Sequence, residues 1–88
     1  MKRDRMQVIY DILRKIQEKD GKIKPTHIMY KANLSHKMLD EYLTELMEKK
    51  LVIEHDQKTG KTYGLSDKGH EFIAKYKMVT EFLESFGL

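Results

Sequence analysis

His36, Lys37, Asp40, Glu41 and Thr44 share one side of a segment whose other side is lined with leucine. With Leu39, Leu43 and Leu46 turned inward, a step of about 100° per residue puts Lys37, Glu41, Thr44 and Glu48 outward, with His36 and Asp40 on one flank. Donors, acceptors and a fixed cation on one helix face supply polar recognition, not bond making. The one paired-carboxylate stretch, Asp40-Glu41, sits on an exposed helix rather than in a cleft, and the chain has no glycine-rich phosphate loop. His27, His36, His55 and His70 fall on four different elements with no carboxylate or cysteine at ligand spacing, so they read as surface or capping residues and imply no metal or cofactor. The expectation is a binding protein, not an enzyme.

Cations elsewhere could assist that face. Lys31 precedes it, Lys58, Thr59 and Lys61 lie in or beside a polar loop, and Lys2, Arg3 and Arg5 open the chain. The net charge of +3 is modest, but its distribution is uneven: residues 1–24 hold eight basic and four acidic side chains, residues 25–65 six of each, and residues 66–88 three and four. The 88 residues make one domain, near the small end of what buries its own core, and without cysteine no disulfide or thiolate site supplements that core. No apolar run approaches the roughly 20 residues that cross a bilayer, and the basic start leads into an amphipathic pattern rather than a signal core. These features read as a full-length, soluble, cytoplasmic protein.

The elements that must position the recognition face follow from periodicity. Met6, Ile9, Leu13 and Ile16, with Val8 and Ile12 beside them, predict an amphipathic helix from Arg5 to Lys19, ended by Gly21. Lys22-Ile23-Lys24 is a strand stub closed by Pro25. Thr26 is a reasonable cap for a short second helix through Ala32, with Ile28, Met29 and Ala32 inward. Asn33 tolerates the left-handed conformation that ends helices and Ser35 caps the next, so apolar Leu34 is pinned in a tight turn between two packed helices. The third helix runs from Ser35 to about Lys50 on Leu39, Tyr42, Leu43, Leu46 and Met47. A period of two then predicts a hairpin, with Leu51 and Ile53 facing one way and Tyr63 and Leu65 on the inner face. Ser66 caps a last helix in which Gly69 is expected beside another backbone, and the stripe Phe72, Ile73, Tyr76, Val79, Phe82, Leu83, Phe86 runs past what the body can cover. Phe72, Ile73 and Tyr76 read as core of the same subunit.

Helix, stub, helix, tight turn, helix, hairpin, helix is the order of a winged helix-turn-helix, an α+β, mostly helical class with a three-helix core, a β-hairpin wing and a long C-terminal helix. The run Thr26-His27-Ile28-Met29-Tyr30-Lys31-Ala32-Asn33-Leu34-Ser35, with Tyr42-Leu43, Leu46, Glu48-Lys49-Lys50-Leu51-Val52 and Tyr63-Gly64-Leu65-Ser66-Asp67-Lys68-Gly69-His70-Glu71-Phe72, resembles the small archaeal winged-helix DNA-binding proteins. These are transcriptional regulators and chromatin-associated proteins. The likeness covers roughly residues 5–76. It implies double-stranded DNA as partner and dimerisation through the C-terminal helix. Lys50 stands where that pattern more often has glycine, and the last helix is shorter than in the long coiled-coil members.

The expectation is therefore a single winged-helix domain, 1–88, whose segment 66–88 overhangs for a homodimer through Tyr76, Val79, Phe82, Leu83 and Phe86. Ser35, His36, Lys37, Glu41 and Thr44 would enter the major groove, while Lys31, Lys58, Thr59, Lys61, Arg3 and Arg5 hold the phosphate backbone. Such a protein would be nucleoid-associated. The acids are awkward, because a carboxylate near phosphates is repelled unless it accepts from a cytosine amino group. That near-neutral third helix and the apolar tail support the alternative of a winged-helix protein-interaction module that binds no DNA.

Overall fold

In the computed structural model, which describes residues 3–20 and 22–88, the first helix starts on a reciprocal cap. Asp4 accepts from the Gln7 backbone N–H at 2.8 Å while the Gln7 side chain accepts from the Asp4 N–H at 3.0 Å, so two otherwise orphaned donors are satisfied. This helix, α1 (Arg5–Glu18), buries Val8, Ile9, Ile12, Leu13 and Ile16. Met6, expected inward, is 42% exposed because it lies in the first turn, before the buried stripe begins. The residue in left-handed conformation at its end is Asp20, at φ +58°. Gly21, the expected terminator, falls outside the described residues, as does Lys2.

Ile23 is 1% exposed and bridges Tyr63, whose N–H donates to the Ile23 carbonyl at 2.9 Å, so the short stub is tied to the hairpin. The next helix, α2 (Pro25–Ala32), begins two residues earlier than expected. Pro25 takes the first helical position and holds Lys24 extended, which makes Lys24 the cap and puts Thr26 inside the first turn. Ile28 and Ala32 are buried and Met29 is half-buried. Asn33 at φ +56°, ψ +54° then ends α2: the Leu34 N–H reaches the Met29 carbonyl at 2.9 Å and the Asn33 N–H the Tyr30 carbonyl at 3.3 Å. Leu34 is buried, and the Ser35 hydroxyl accepts from the Met38 N–H at 3.2 Å to start α3 (His36–Glu48). Three residues, Asn33, Leu34 and Ser35, end one helix and begin the next.

The end of α3 repeats this geometry with a less suitable residue. Lys50 sits at φ +65°, its N–H bonding the Met47 carbonyl at 3.1 Å while the Leu51 N–H bonds the Leu46 carbonyl at 2.9 Å. A side chain in that conformation costs about 1–2 kcal/mol, partly offset by the extra chain entropy glycine would lose. Lys50→Gly should accordingly raise stability by about 0.5–1 kcal/mol, and a thermal melt with a midpoint roughly 4 °C higher would record it. An unchanged or lower midpoint would refute the account.

Leu51 therefore belongs to the helix-ending turn, and the alternation starts one residue later than expected. In the antiparallel pair β1 (Val52–Gln57) and β2 (Gly60–Leu65), Val52 pairs with Leu65 and Glu54 with Tyr63. Val52 is buried and Ile53 is 43% exposed on the opposite face, whereas Tyr63 faces inward as expected. Burial, then the charge and hydrogen bond of Glu54, hold the Tyr63 phenol above its ordinary pKa of 10.0. Folding thus favours the protonated phenol, and this contribution is full below pH 10 and lost as pH climbs past it.

The last helix, α4 (Asp67–Ser85), is fastened at its start to the end of α3. The Ser66 hydroxyl accepts from the Gly69 N–H at 3.1 Å and donates to the Lys50 carbonyl at 2.6 Å, the Ser66 N–H bonds the Leu51 carbonyl at 3.2 Å, and the Lys68 ammonium reaches the Lys49 carbonyl at 2.8 Å. Gly69 is buried there, as expected, and a Cβ on it would lie 2.4 Å from the Leu51 carbonyl oxygen. At 1.5 Å per residue α4 runs about 28 Å. Ile73 joins the core, which draws otherwise on α1, α2, α3, the stub and the hairpin, but Val79, Phe82, Leu83 and Phe86 remain exposed, Phe82 at 62% and Phe86 at 70%. The body does not cover the second half of α4.

Candidate nucleic-acid interface

Capped by Ser35, the first three turns of α3 present His36, Lys37, Asp40, Glu41 and Thr44 to solvent, and all five are exposed together with Glu48. Neither the hairpin nor the tail covers them. The carboxylates on and beside this surface differ in their partners. Asp40 lies 3.4 Å from the His36 imidazole one turn earlier, and Glu45 is paired with the Arg5 guanidinium, itself 5.9 Å above the Tyr42 ring. Among the described residues Glu41 and Glu48 form no ion pair, and neither do Lys31, Lys37 and Lys58. Lys37 is the one lysine or arginine within α3, which also carries Asp40, Glu41, Glu45 and Glu48.

The hairpin turn is short. Gln57 pairs with Gly60, so Lys58 and Thr59 form a two-residue tip, both exposed, with Gly60 at φ +123°. Lys61 follows on β2, 3.5 Å from Glu54. These side chains form a projecting basic tip.

The two N-terminal arginines are placed differently from a free basic arm. Arg3 pairs with Asp11 at 2.7 Å and donates to the Ala32 carbonyl at 2.6 Å and the Asn33 carbonyl at 3.4 Å. Its guanidinium therefore satisfies carbonyls left open at the end of α2 and ties α1 to the turn before α3, a role that no local pattern in the sequence announces. Arg5 is drawn to Glu45 on α3. Both guanidiniums thus find acceptors supplied from residues far away in the chain.

The expected dimer residues also divide. Tyr76 is half-buried, its ring 4.8 Å from Tyr10 and 5.9 Å from Phe72, and it serves its own fold first. Burial, then the charges of Asp4 and Asp11, raise its phenol above the ordinary value. Val79, Phe82, Leu83 and Phe86 continue outward, with Phe82 and Phe86 5.2 Å apart. An apolar groove of about 350 Å³ lined by Leu51, Phe72, Tyr76 and Val79 leads into this stripe. Among the described residues no helix is long and apolar enough to cross a membrane, and no cluster of three or more histidine, aspartate or glutamate side chains has metal-binding geometry.

A family model described as winged helix-turn-helix matches residues 2–84. An uncharacterized protein of Methanocaldococcus jannaschii is 33% identical over 79 residues, which are 90% of this chain and 35% of that protein, so the chain spans about a third of that relative. The crystal structure of Sso10a-2, a DNA-binding protein from Sulfolobus solfataricus, is similar with a TM-score of 0.82 at 21% identity, over 96% of this chain and 85% of that one. A mutant of Staphylococcus aureus MepR bound to an oligodeoxyribonucleotide is similar with a TM-score of 0.79 at 14% identity, over 90% and 60% of the two chains. The PcaV transcriptional regulator from Streptomyces coelicolor, with its natural ligand, gives 0.78 at 13%, over 89% and 57%. At these identities the structural likeness is one of fold.

Proposed function

Because the chain belongs to the winged helix-turn-helix family, we propose that it is a dimeric DNA-binding protein, a transcriptional regulator or chromatin-associated protein that binds rather than catalyses. The observation that carries this reading is the open N-terminal half of α3, delivered by the two-residue turn Asn33-Leu34 and uncovered by any other element. A recognition helix makes its base contacts from that half. Ser35, His36, Lys37, Glu41 and Thr44 take the major groove, and Lys31, Lys58, Thr59 and Lys61 take phosphates. Arg3 acts from inside, holding the turn, and Arg5 steadies α3 through Glu45. The relatives support the reading by their descriptions, one as a DNA-binding protein and one solved with an oligodeoxyribonucleotide.

Anisotropy titration of mixed duplex DNA at rising salt tests it. If Lys31, Lys58 and Lys61 each neutralise one phosphate, log K falls against log salt with a slope of about −2.7 per subunit. An affinity indifferent to salt defeats the proposal.

The exposed stripe of α4 supports the dimer, since a contiguous apolar patch of this kind in a small protein marks a partner surface and a second copy is the simplest partner. In a two-fold dimer the α3 helices address successive major grooves about 34 Å apart or a multiple of it. Phe82→Glu with Phe86→Glu should convert a dimer to a monomer by light scattering at micromolar concentration without loss of helical content, because neither ring belongs to the core. A wild-type chain that is already monomeric sinks the dimer. The excess of acid on the open face of α3 favours a second reading, a winged helix that docks on protein. In that case the duplex titration shows no saturable binding at low salt.

A further inference from the structure

Two histidines that stand 15 positions apart in the chain, His55 on β1 and His70 in α4, line one cavity of about 390 Å³. Its other walls include Gln17 and Asp20 at the end of α1, Lys22 beyond it, Gln57 at the end of β1, and Thr62 on the face of the hairpin turned away from the core. The volume lies in the range of small-molecule sites, about 300–1,000 Å³, yet most of the lining is polar, which selects against an apolar ligand. Donors reach it from several elements. Lys22 contributes an ammonium, Thr62 a hydroxyl, and the Gln17 amide nitrogen stands 3.1 Å from His70 Nδ1. With the amide donating, Nδ1 accepts and the His70 proton sits on Nε2, which leaves that ring nitrogen a donor. His55 adds a second imidazole, and Asp20 is the only carboxylate in the wall. A ring nitrogen that keeps its proton is a poor metal ligand and a good partner for an oxyanion.

We propose that this cavity binds the phosphate group of a small phosphate monoester, held by Lys22, His55, Thr62 and His70. A tetrahedral anion with several acceptor oxygens suits donors arriving from the stub, the hairpin and α4 together, and the volume exceeds what a bare phosphate fills. An occupant would join the end of α1, the hairpin and the first turns of α4, so its mechanical consequence is a wing held against the body. Binding itself does not depend on the DNA reading.

The test is a titration of the isotope-labelled full chain with glycerol phosphate at constant pH and ionic strength, balanced with sodium chloride, with inorganic phosphate and a short DNA duplex as separate arms. The expected result is saturable, localised shifts of the Lys22, His55, Thr62 and His70 signals by glycerol phosphate, weaker ones by inorganic phosphate, and none there by the duplex. Lys22→Ala with His55→Ala should weaken the apparent affinity at least about tenfold while the spectrum elsewhere stays folded, since both side chains are exposed. Shifts that never saturate, that survive in the double variant, or that only the duplex produces would each overturn the proposal, the last by assigning the site to a DNA backbone phosphate.

Discussion

Gly69→Ala is expected to destabilise the protein by about 2–3 kcal/mol, against the sign that helix propensity alone assigns to it. Alanine at an interior helical position is worth roughly 1 kcal/mol more than glycine, so a solvent-facing Gly69 would make this variant more stable. The opposite is expected because the new methyl would meet the Leu51 carbonyl oxygen at 2.4 Å, a backbone atom with no rotamer to yield. To admit it, α4 must lift from the end of α3, and the lift strains several bonds at once: Ser66 to the Lys50 and Leu51 carbonyls, and Lys68 to the Lys49 carbonyl. For a domain of this length each kcal/mol moves the midpoint by about 4–8 °C, so a fall of roughly 10–20 °C in a thermal melt is the measurement. A neutral or stabilised variant would mean that α4 does not close on Leu51. The consequence reaches function, because the direction in which α4 leaves the body sets where its apolar stripe can meet a second copy.

Gly69 also shows what kind of structural feature the sequence carries plainly. A glycine inside an otherwise regular helical stripe costs stability wherever it is not needed, so its presence points to a close backbone neighbour even before that neighbour is known. The same logic made the turn at Asn33-Leu34-Ser35 legible, since each residue is suited to one step of stopping a helix and starting the next, and the structure uses each in that way. The leucines of α3 and the isoleucines of α1 were legible through period. The spacing of Asp4 and Gln7 also suits a reciprocal cap, which is how α1 starts.

What escaped falls into two groups with different causes. The phase of β1 could not be read because Leu51, Val52 and Ile53 are all apolar, so alternation is undefined until the end of α3 is fixed, and that end is set by Lys50 entering a conformation lysine seldom takes. A proline effect moved the α2 cap from Thr26 to Lys24 in a comparable local way. The other group is long-range. Arg3 meets Asp11 and the Ala32 carbonyl, Arg5 meets Glu45, and His55 and His70 share a cavity, each through contacts that only the assembled fold creates. Charge position along the chain told where cations are, not which of them the protein itself would occupy.

That distinction decides which cations are worth reversing. Lys37 and Lys58 have no ion-pair partner among the described residues, and Lys61 has only the partly exposed contact to Glu54, which is worth little in water. Lys37→Glu, Lys58→Glu and Lys61→Glu together should weaken duplex binding more than tenfold at low salt and flatten the salt dependence by about 1.8 in slope, the share of the Lys58 and Lys61 phosphate contacts. Net charge alone would produce part of any such loss. The control is an equal reversal at Lys15, Lys19 and Lys75, on α1, just past its end and on α4, which changes the total charge identically without touching α3 or the hairpin tip. If the two triple variants lose affinity equally, the protein attracts DNA through its overall field and α3 has no privileged place in the complex. If only the first set matters, the acids beside Lys37 acquire a meaning too, because a helix that binds despite Asp40 and Glu41 must gain from the groove what those carboxylates lose to the phosphates.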